Sequence, residues 1–544
     1  MNKQSKAFIA PLIVFIIICV ATIGIAVGRS GHKDLDSLVK KVKYDTATPK
    51  KGTLSLDESD LYDELPEITK YPVAVEGTGD VNIEIFSSGE KAGSNYDAWL
   101  IECAEKFNRE DIRTEQGTRV GMTVRSMSSG LGADYIRSGK YLPDLYTPSN
   151  SLFADLAQVT GADLTEIESR LVGNTSGVLV KKNSDFKTIE DVINAVKSGS
   201  INFGYTNPQT SATGLNLLMY VLKSADEDVS SEAAVNAFTE FNNNVPYVAY
   251  TTQQMRDSAG NGSLDVMVSE YQVYINSKDL KKAYDFIPFG MRNDNPLYAV
   301  NYGSADDAKK EGIACVREFL MSAEAQKLAS EYGFNQKDDH KSSYETTGLE
   351  VSEALQIYKD NKDGGTPIAA IFVADCSGSM SGEPLYQLKQ SLSNGMRYIN
   401  SDNYIGLISY DNKITVEVPI NKFDVTQKSY FQGGIDKLSA GGSTFTYEAV
   451  CVALKELKEF KKDHPEVKPI VFVLSDGYAN GNLTIDKIKG AVKEEQIPVY
   501  TIGYTEEADT EELKQLSDIN EAASMSADSD DVVYKIKGLF NSQL

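Results

Sequence analysis

The stretch Ile368-Ala-Ala-Ile-Phe-Val-Ala-Asp375-Cys-Ser377-Gly-Ser379 decides how the C-terminal third of the chain folds. An apolar run over 368–374 predicts a buried strand. The strand ends by presenting one carboxylate and two hydroxyls in a tight loop. Hard divalent cations such as Mg²⁺ take oxygen ligands in near-octahedral geometry and are often held by few carboxylates. Two more oxygen donors stand in equivalent places downstream. Thr444 lies in Gly441-Gly442-Ser443-Thr444, and Asp476 follows the apolar run 470–474 in Ser475-Asp476-Gly477. Asp-Gly and Ser-Gly pairs taken singly are ordinary turn chemistry. Their order points further, because three separated loops converge only if the segments between them build one sheet.

Those segments have the required pattern. Leu385, Leu388, Leu392, Met396 and Ile399 recur at helical spacing directly after the Asp375 loop. A strand over 404–409, helices around 446–460 and 483–495, and a strand over 499–502 complete an alternation that implies a mostly parallel sheet with helices on both faces. Ligands in such sheets bind beyond the carboxyl ends of strands, where Asp375 and Asp476 fall. The set D-x-S-x-S, a distant Thr and a distant Asp resembles the metal-ion-dependent adhesion site of von Willebrand factor A domains, over about a third of the chain. The resemblance implies a doubly wound, Rossmann-like domain at 366–544. It implies that Ser377, Ser379 and Thr444 supply hydroxyl ligands to Mg²⁺ (or Mn²⁺ or Ca²⁺), with Asp375 and Asp476 acting directly or through water. One coordination position is then left for a carboxylate from a protein partner.

Composition sets the wider frame. A chain of 544 residues is long enough for more than one domain, and 41% hydrophobic with 24% charged residues is the balance of folded globular protein. A formal net charge of −24 argues against nucleic acid as a partner, since phosphate binding needs clustered cations. The five cysteines (19, 103, 315, 376 and 451) have no metal-ligand spacing and suggest no disulfide framework. Lys3 and Lys6 precede 7–27, an uncharged apolar stretch of 21 residues. It is long enough to span a hydrocarbon core of about 30 Å, so residues 1–33 are expected as a single-pass membrane anchor. Arg29, Lys33, Lys40, Lys41 and Lys43 flank its C-terminal side and by charge alone favour the opposite topology, although long domains translocate despite charge. Residues 34–75 are polar without apolar period, and a flexible linker is expected there.

From about residue 76 short strands alternate with helices. Four of the strands run into small hydroxyl residues at a helix start: Ser87 and Ser88, Ser128 and Ser129, Ser149, and Thr210, Ser211 and Thr213. Ser and Thr there are good N-caps, and such starts also cradle anions with free N–H groups. Residues 76–343 resemble a type 2 periplasmic substrate-binding protein, with two α/β lobes and a hinge. The stretch Ile201-Asn-Phe-Gly-Tyr-Thr-Asn-Pro-Gln-Thr-Ser-Ala-Thr-Gly214 looks like that family's second-lobe loop, and 305–334 like its returning helices. The resemblance implies that Ser87, Ser88, Ser128, Ser129, Thr210, Ser211 and Thr213 line the inter-lobe cleft with Tyr271 nearby. Neutral donors of this kind suit a small solute, an oxyanion in particular. Glu270 departs from that picture, since a buried carboxylate repels an anion: it either points outward or marks a ligand bearing an amine or a cation, and a cleft that is empty and kept as a structural lobe stands as a further alternative. A helix and linker are expected over 344–365, where Asp363-Gly-Gly-Thr-Pro367 breaks the helical pattern.

The order of anchor, binding-protein-like module and von Willebrand module resembles bacterial fusion proteins of that composition. No phosphate-binding G-x-x-x-x-G-K-[ST] loop occurs, and the three histidines are scattered, so no enzyme is expected. The leading expectation is a membrane-anchored, extracellular binding or adhesion protein. Two alternatives stand beside it: a receptor or sensor for a small solute, linked to transport or stress response, and a metal-domain subunit that assists an ATPase inside the cell.

Overall fold

The computed structural model describes residues 34–54, 61–245, 247–249, 255, 264–362, 366–477, 479–504, 510–520 and 524–527. The expected anchor at 7–27 lies outside them. Among the described residues no helix is long and apolar enough to cross a membrane.

The apolar run before the Asp375 loop forms the strand Ile368–Asp375, buried along its whole length. It sits at the centre of a seven-stranded sheet ordered Tyr44–Thr46, Ile414–Lys422, Tyr404–Tyr410, Ile368–Asp375, Lys468–Ser475, Val499–Tyr504 and Ser524–Ala527. Its pairings with Tyr404–Tyr410 and Lys468–Ser475 are parallel, so all three strands end on the same side. Two apolar layers flank the sheet. Phe372, Leu388, Leu392, Phe431 and Phe472 belong to one, and Ile371, Val373, Leu454, Leu457 and Val471 to the other. Helices cover both faces, as continuous apolar strands require.

The N-terminal part of this sheet corrects an expectation. Residues 34–75 were expected as a linker, yet Leu35–Val39 is a helix capped by Asp34, and Tyr44–Thr46 pairs in parallel with Ile414–Lys422 at the sheet edge. Leu35, Leu38 and Val39 are buried in the same layer as Leu454, Leu457 and Ile488. Further on, Gly52 donates its N–H to Ser429 O at 2.7 Å. The apolar signal was too short to show period, since it consists of one helical turn and three strand residues that gain their partners only from sequence hundreds of residues away. The solute-binding-like module is therefore inserted between two pieces of one sheet.

That module has two lobes. The first holds a six-stranded sheet ordered Val73–Val75, Val120–Ser126, Val81–Ser87, Leu145–Thr147, Leu297–Val300 and Leu164–Glu168. The second holds a five-stranded sheet ordered Tyr284–Asn293, Asn174–Lys181, Val266–Glu270, Phe203–Thr206 and Tyr247–Ala249. The chain passes between lobes near Val172 and again near Asn295. These crossings are tied together: Leu171 N donates to Asn295 O at 3.3 Å, and Asn295 Nδ2 to Val172 O at 2.9 Å.

The segment expected as a helix and linker is also part of the packed body. Gly348–Asn361 is a helix opened by a Thr347/Glu350 capping box. Its Val351, Ala354 and Tyr358 are fully buried. It packs on Leu152–Val159 of the first lobe and on Ala212–Ala225 of the second. It thus bridges the two lobes before the chain enters Ile368–Asp375.

Candidate functional site

Three loops meet at the carboxyl end of the seven-stranded sheet. The backbone stitches the first two together, with Gly378 N donating to Gly442 O at 3.1 Å and Gly441 N to Cys376 O at 2.8 Å. The second and third are joined through Asn480. Its Oδ1 accepts from Thr444 N at 2.7 Å, and its N–H donates to Thr444 O at 2.9 Å. Gly442 and Gly477 both adopt positive φ (73° and 103°), the conformations that let the loops turn this sharply. All five residues expected as ligands thus stand on loops held against one another.

Their side chains divide into buried and open. Asp375, Ser377, Thr444 and Asp476 are buried, while Ser379 is exposed at the rim. Ser377 Oγ and Ser379 Oγ lie 3.0 Å apart. Asp375 is held by three donors: Ser377 N to Oδ1 at 2.8 Å, and Ser475 Oγ at 2.6 Å and Tyr410 Oη at 3.1 Å to Oδ2. Burial pushes Asp375 up to about 6 against these hydrogen bonds, and the negative charge of Asp476 adds to the push. Asp476 Oδ1 is buried with no hydrogen-bond partner. An orphaned carboxylate oxygen beside a second buried carboxylate is costly unless a cation answers it. Among the described residues no cluster of three or more His, Cys, Asp or Glu could hold a metal. A cation here would rest on two carboxylates and neighbouring hydroxyls, a donor set that suits Mg²⁺ or Mn²⁺.

Sequence reading passed over the supporting residues. Ser475 and Tyr410 orient Asp375. Glu448 Oε1 accepts from the backbone N–H of Asn482 (2.6 Å) and Leu483 (2.8 Å), pinning the loop that follows Asp476. A carboxylate in the first turn of the helix Thr446–Asp463 was the available signal, since acids there also serve as ordinary caps.

The inter-lobe region differs from the expectation of a neutral, hydroxyl-lined cleft. Ser87, Ser88, Ser129, Thr210 and Thr213 are buried, Ser211 half-buried and Ser128 exposed. The first-lobe helix start and the second-lobe loop bond directly to each other, Gly130 N to Thr210 O at 3.1 Å. Ser128 and Ser211 serve as N-caps, to Leu131 N and Gly214 N. Tyr271 packs its ring on Phe286 and Tyr274 within the second lobe. Between the lobes lies a cavity of about 280 Å³ whose lining includes Glu90, Asp97 and Glu270 and none of the hydroxyl residues named from sequence. Those hydroxyls instead serve the carboxylates: Ser88 Oγ and Ser149 Oγ donate to Glu90 Oε1 at 2.5 and 2.7 Å, and Thr213 Oγ1 to Glu270 Oε1 at 2.6 Å. Glu270 also accepts from Asn174 Nδ2 and Asn293 Nδ2. Lys91, fully buried, pairs with Glu90 at 3.1 Å and donates to Asn295 Oδ1 at 2.7 Å. Burial, with the charge of Glu90 beside it, pushes Glu270 up to about 8. Glu90, unlike Glu270, stays below its ordinary value: burial works against that, and Lys91 and the hydroxyls outweigh it.

Comparison with known proteins agrees with the two halves of the architecture. Residues 92–335 match the family model for a bacterial extracellular solute-binding protein, and 371–538 that for a von Willebrand factor type A domain. A von Willebrand factor A domain-containing protein of Dictyostelium discoideum is 30% identical over 143 residues, covering 24% of this chain and 14% of that protein. The inter-alpha-trypsin inhibitor heavy chain H3 of Bos taurus is 27% identical over 149 residues, covering 25% and 16% respectively. The chain thus spans a small part of the length of these curated relatives. Among solved structures, a periplasmic thiamin binding protein is similar at 12% identity with a TM-score of 0.38, over 51% of this chain and 93% of that one.

Proposed function

We propose that this chain, a solute-binding domain joined to a von Willebrand factor type A domain, is a binding protein of the cell exterior rather than an enzyme. Its metal loops hold a divalent cation through Asp375, Ser377, Ser379, Thr444 and Asp476, and the cation engages a carboxylate on a protein partner. The observation that carries this reading is the buried, unpartnered Oδ1 of Asp476 beside Asp375. When bound, the cation supplies an electrophilic position that an incoming carboxylate can occupy. The chain's own residues do the rest. Ser475 and Tyr410 hold Asp375 in place, the Asn480 bridge sets Thr444, and the exposed Ser379 marks the side from which a partner arrives.

Titration of the full chain with Mg²⁺ and Mn²⁺ by calorimetry tests this. Saturable binding is expected in the wild type, and a loss of about 100-fold or more in Asp375→Ala, since losing even an outer-shell partner commonly costs 10–100-fold. Equal affinity in wild type and variant, with both folded by circular dichroism, sinks the reading.

A second reading concerns the other domain and is favoured by a separate observation. Glu90, Asp97 and Glu270 around one cavity fit a small solute with a cationic group better than an oxyanion. A solute screen by calorimetry in which only oxyanions bind would overturn that choice of ligand.

A further inference from the structure

The chain that follows the edge strand Tyr44–Thr46 stays on the seven-stranded domain. Ala47 N donates to Val416 O at 2.9 Å, and the next residues run along the helix Val425–Lys437. Lys437 Nζ donates to Thr48 O at 3.5 Å, and Lys51 Nζ sits 5.9 Å from the centre of the Tyr430 ring. Gly52 and Ser429 exchange two hydrogen bonds: Gly52 N donates to Ser429 O at 2.7 Å, and Ser429 Oγ to Gly52 O at 2.9 Å. Rising numbers on one side meet falling numbers on the other, so residues 48–54 form a strap antiparallel to the helix. Leu54 ends it against the apolar layer of Phe372, Phe431 and Phe472.

Two glycines let strap and helix lie backbone to backbone. A Cβ on Gly433 would overlap the carbonyl oxygen of Lys50 and stand 2.8 Å from Gly52 N, and one on Gly52 would stand 2.5 Å from Gly433 N. On the opposite side a Cβ on Gly434 would meet Val418 Cγ2 at 2.7 Å, so strap and sheet grip the helix between them. The helix needs that grip, because glycine is the poorest helix former after proline and two stand together near its C-terminal end. That end serves two of the metal loops. The chain leaves Lys437 directly for the loop of Gly441, Gly442 and Thr444, and Asp436 O accepts at 3.1 Å from Lys389 Nζ of the helix Glu383–Gly395, which follows the Asp375 loop. Resting on the reading of these loops as a cation site, we propose that the strap 48–54 is a positioning element of that site. It fixes the helix Val425–Lys437 so that Thr444 stands where Asp375 and Asp476 need it. Gly52, Ser429 and Gly433 are its positioning residues, and none of them is an expected ligand.

Gly433→Ala in the full chain tests the strap apart from the helix beneath it. Alanine strengthens the helix by propensity, while its Cβ evicts the strap. Calorimetric titration with Mg²⁺ should show affinity about 10-fold below wild type, the scale of outer-shell losses at metal sites. Amide hydrogen exchange without added metal should run several-fold faster over 439–444, while Lys468–Ser475 keep their rates. Gly52→Ala acts from the strap side and should reproduce both changes, and the double variant should lose little more than either, since both evict one segment. If Gly433→Ala does not fold, Ser429→Ala carries the same test at smaller amplitude, and Ser429→Thr, which keeps the hydroxyl, should restore the affinity. Wild-type affinity in folded Gly433→Ala and Gly52→Ala overturns the proposal and leaves the cation site standing. Faster exchange with unchanged affinity also overturns it, making the strap a brace for the helix alone. A wild type that binds neither Mg²⁺ nor Mn²⁺ overturns the cation site itself, and the strap's role there with it.

Discussion

The metal loops and the inter-lobe cleft are both made of hydroxyl residues at strand ends, and the sequence marks them alike. Their hydrogen bonding separates them. Between the lobes the hydroxyls are spent: Ser88 and Ser149 donate to Glu90, Thr213 donates to Glu270, and Thr206 donates to Ser211. A hydroxyl already donating to a buried carboxylate can donate to an oxyanion only if that bond is broken. At the Asp375 loop Ser377 Oγ lies against Ser379 Oγ and also serves Asp375, while Asp476 keeps a buried oxygen with no donor. The number of oxygen donors does not distinguish a site from a seal. Lone pairs left over after the protein's own bonds are counted do.

The largest test of this contrast is the loss of metal affinity in Asp375→Ala described above. The next is Glu448→Gln. Glu448 touches no expected metal ligand, yet it pins the loop following Asp476 through two backbone N–H groups, and its Oε2 is buried without a partner. Neutralising it weakens two charge-assisted bonds. Mg²⁺ affinity should fall about 10-fold, the scale of outer-shell losses at metal sites. Unchanged affinity would show that the loop is set by the Asn480–Thr444 bridge alone.

A smaller effect is expected from Gly130→Ala, which acts on the seal instead. A Cβ there would lie 2.5 Å from Gln209 O and 2.8 Å from Thr210 Cα, across the lobe boundary. The lobes must give way, so amides over 207–214 should exchange faster while those of Lys468–Ser475 keep their rates. Metal affinity should stay within about twofold if the domains are independent, since distant sites with no shared partner add. A larger change would reveal coupling through the helix Gly348–Asn361, which packs on both lobes and leads into the central strand of the seven-stranded sheet.

How much of this was legible follows the range of the interactions involved. The strand Ile368–Asp375 carries its burial in its own composition, and the loop order Asp375, Thr444, Asp476 follows from parallel strands ending on one side. The edge strand Tyr44–Thr46 had no such local signature, because its register is set by Ile414–Lys422. The acidic cavity was half visible. Glu270 stands out of place among neutral donors in the sequence, whereas Glu90, one residue past Ser87-Ser88-Gly89, does not. A carboxylate at a helix start reads as a good end charge until a second one from the other lobe is found beside it.

The smallest effect is a pH dependence of the sealed region. Folding raises Glu270 from an ordinary carboxylate value of 4.5 to about 8, burial leading and the Glu90 charge adding. Between those values the folded chain holds a proton that the unfolded chain has released. Stability from this group is therefore present below 4.5 and is lost as pH rises toward 8. The melting temperature of the solute-binding part should fall by several degrees between pH 5 and 8. Glu270→Gln should flatten that slope, although its amide meets the donors Asn174 and Asn293 and lowers stability at every pH. A cationic solute in the cavity should also flatten it, because a positive charge beside Glu270 favours the ionised form and releases the proton. An unchanged slope in Glu270→Gln would place the titration elsewhere, and the cavity would lose its claim to a cation.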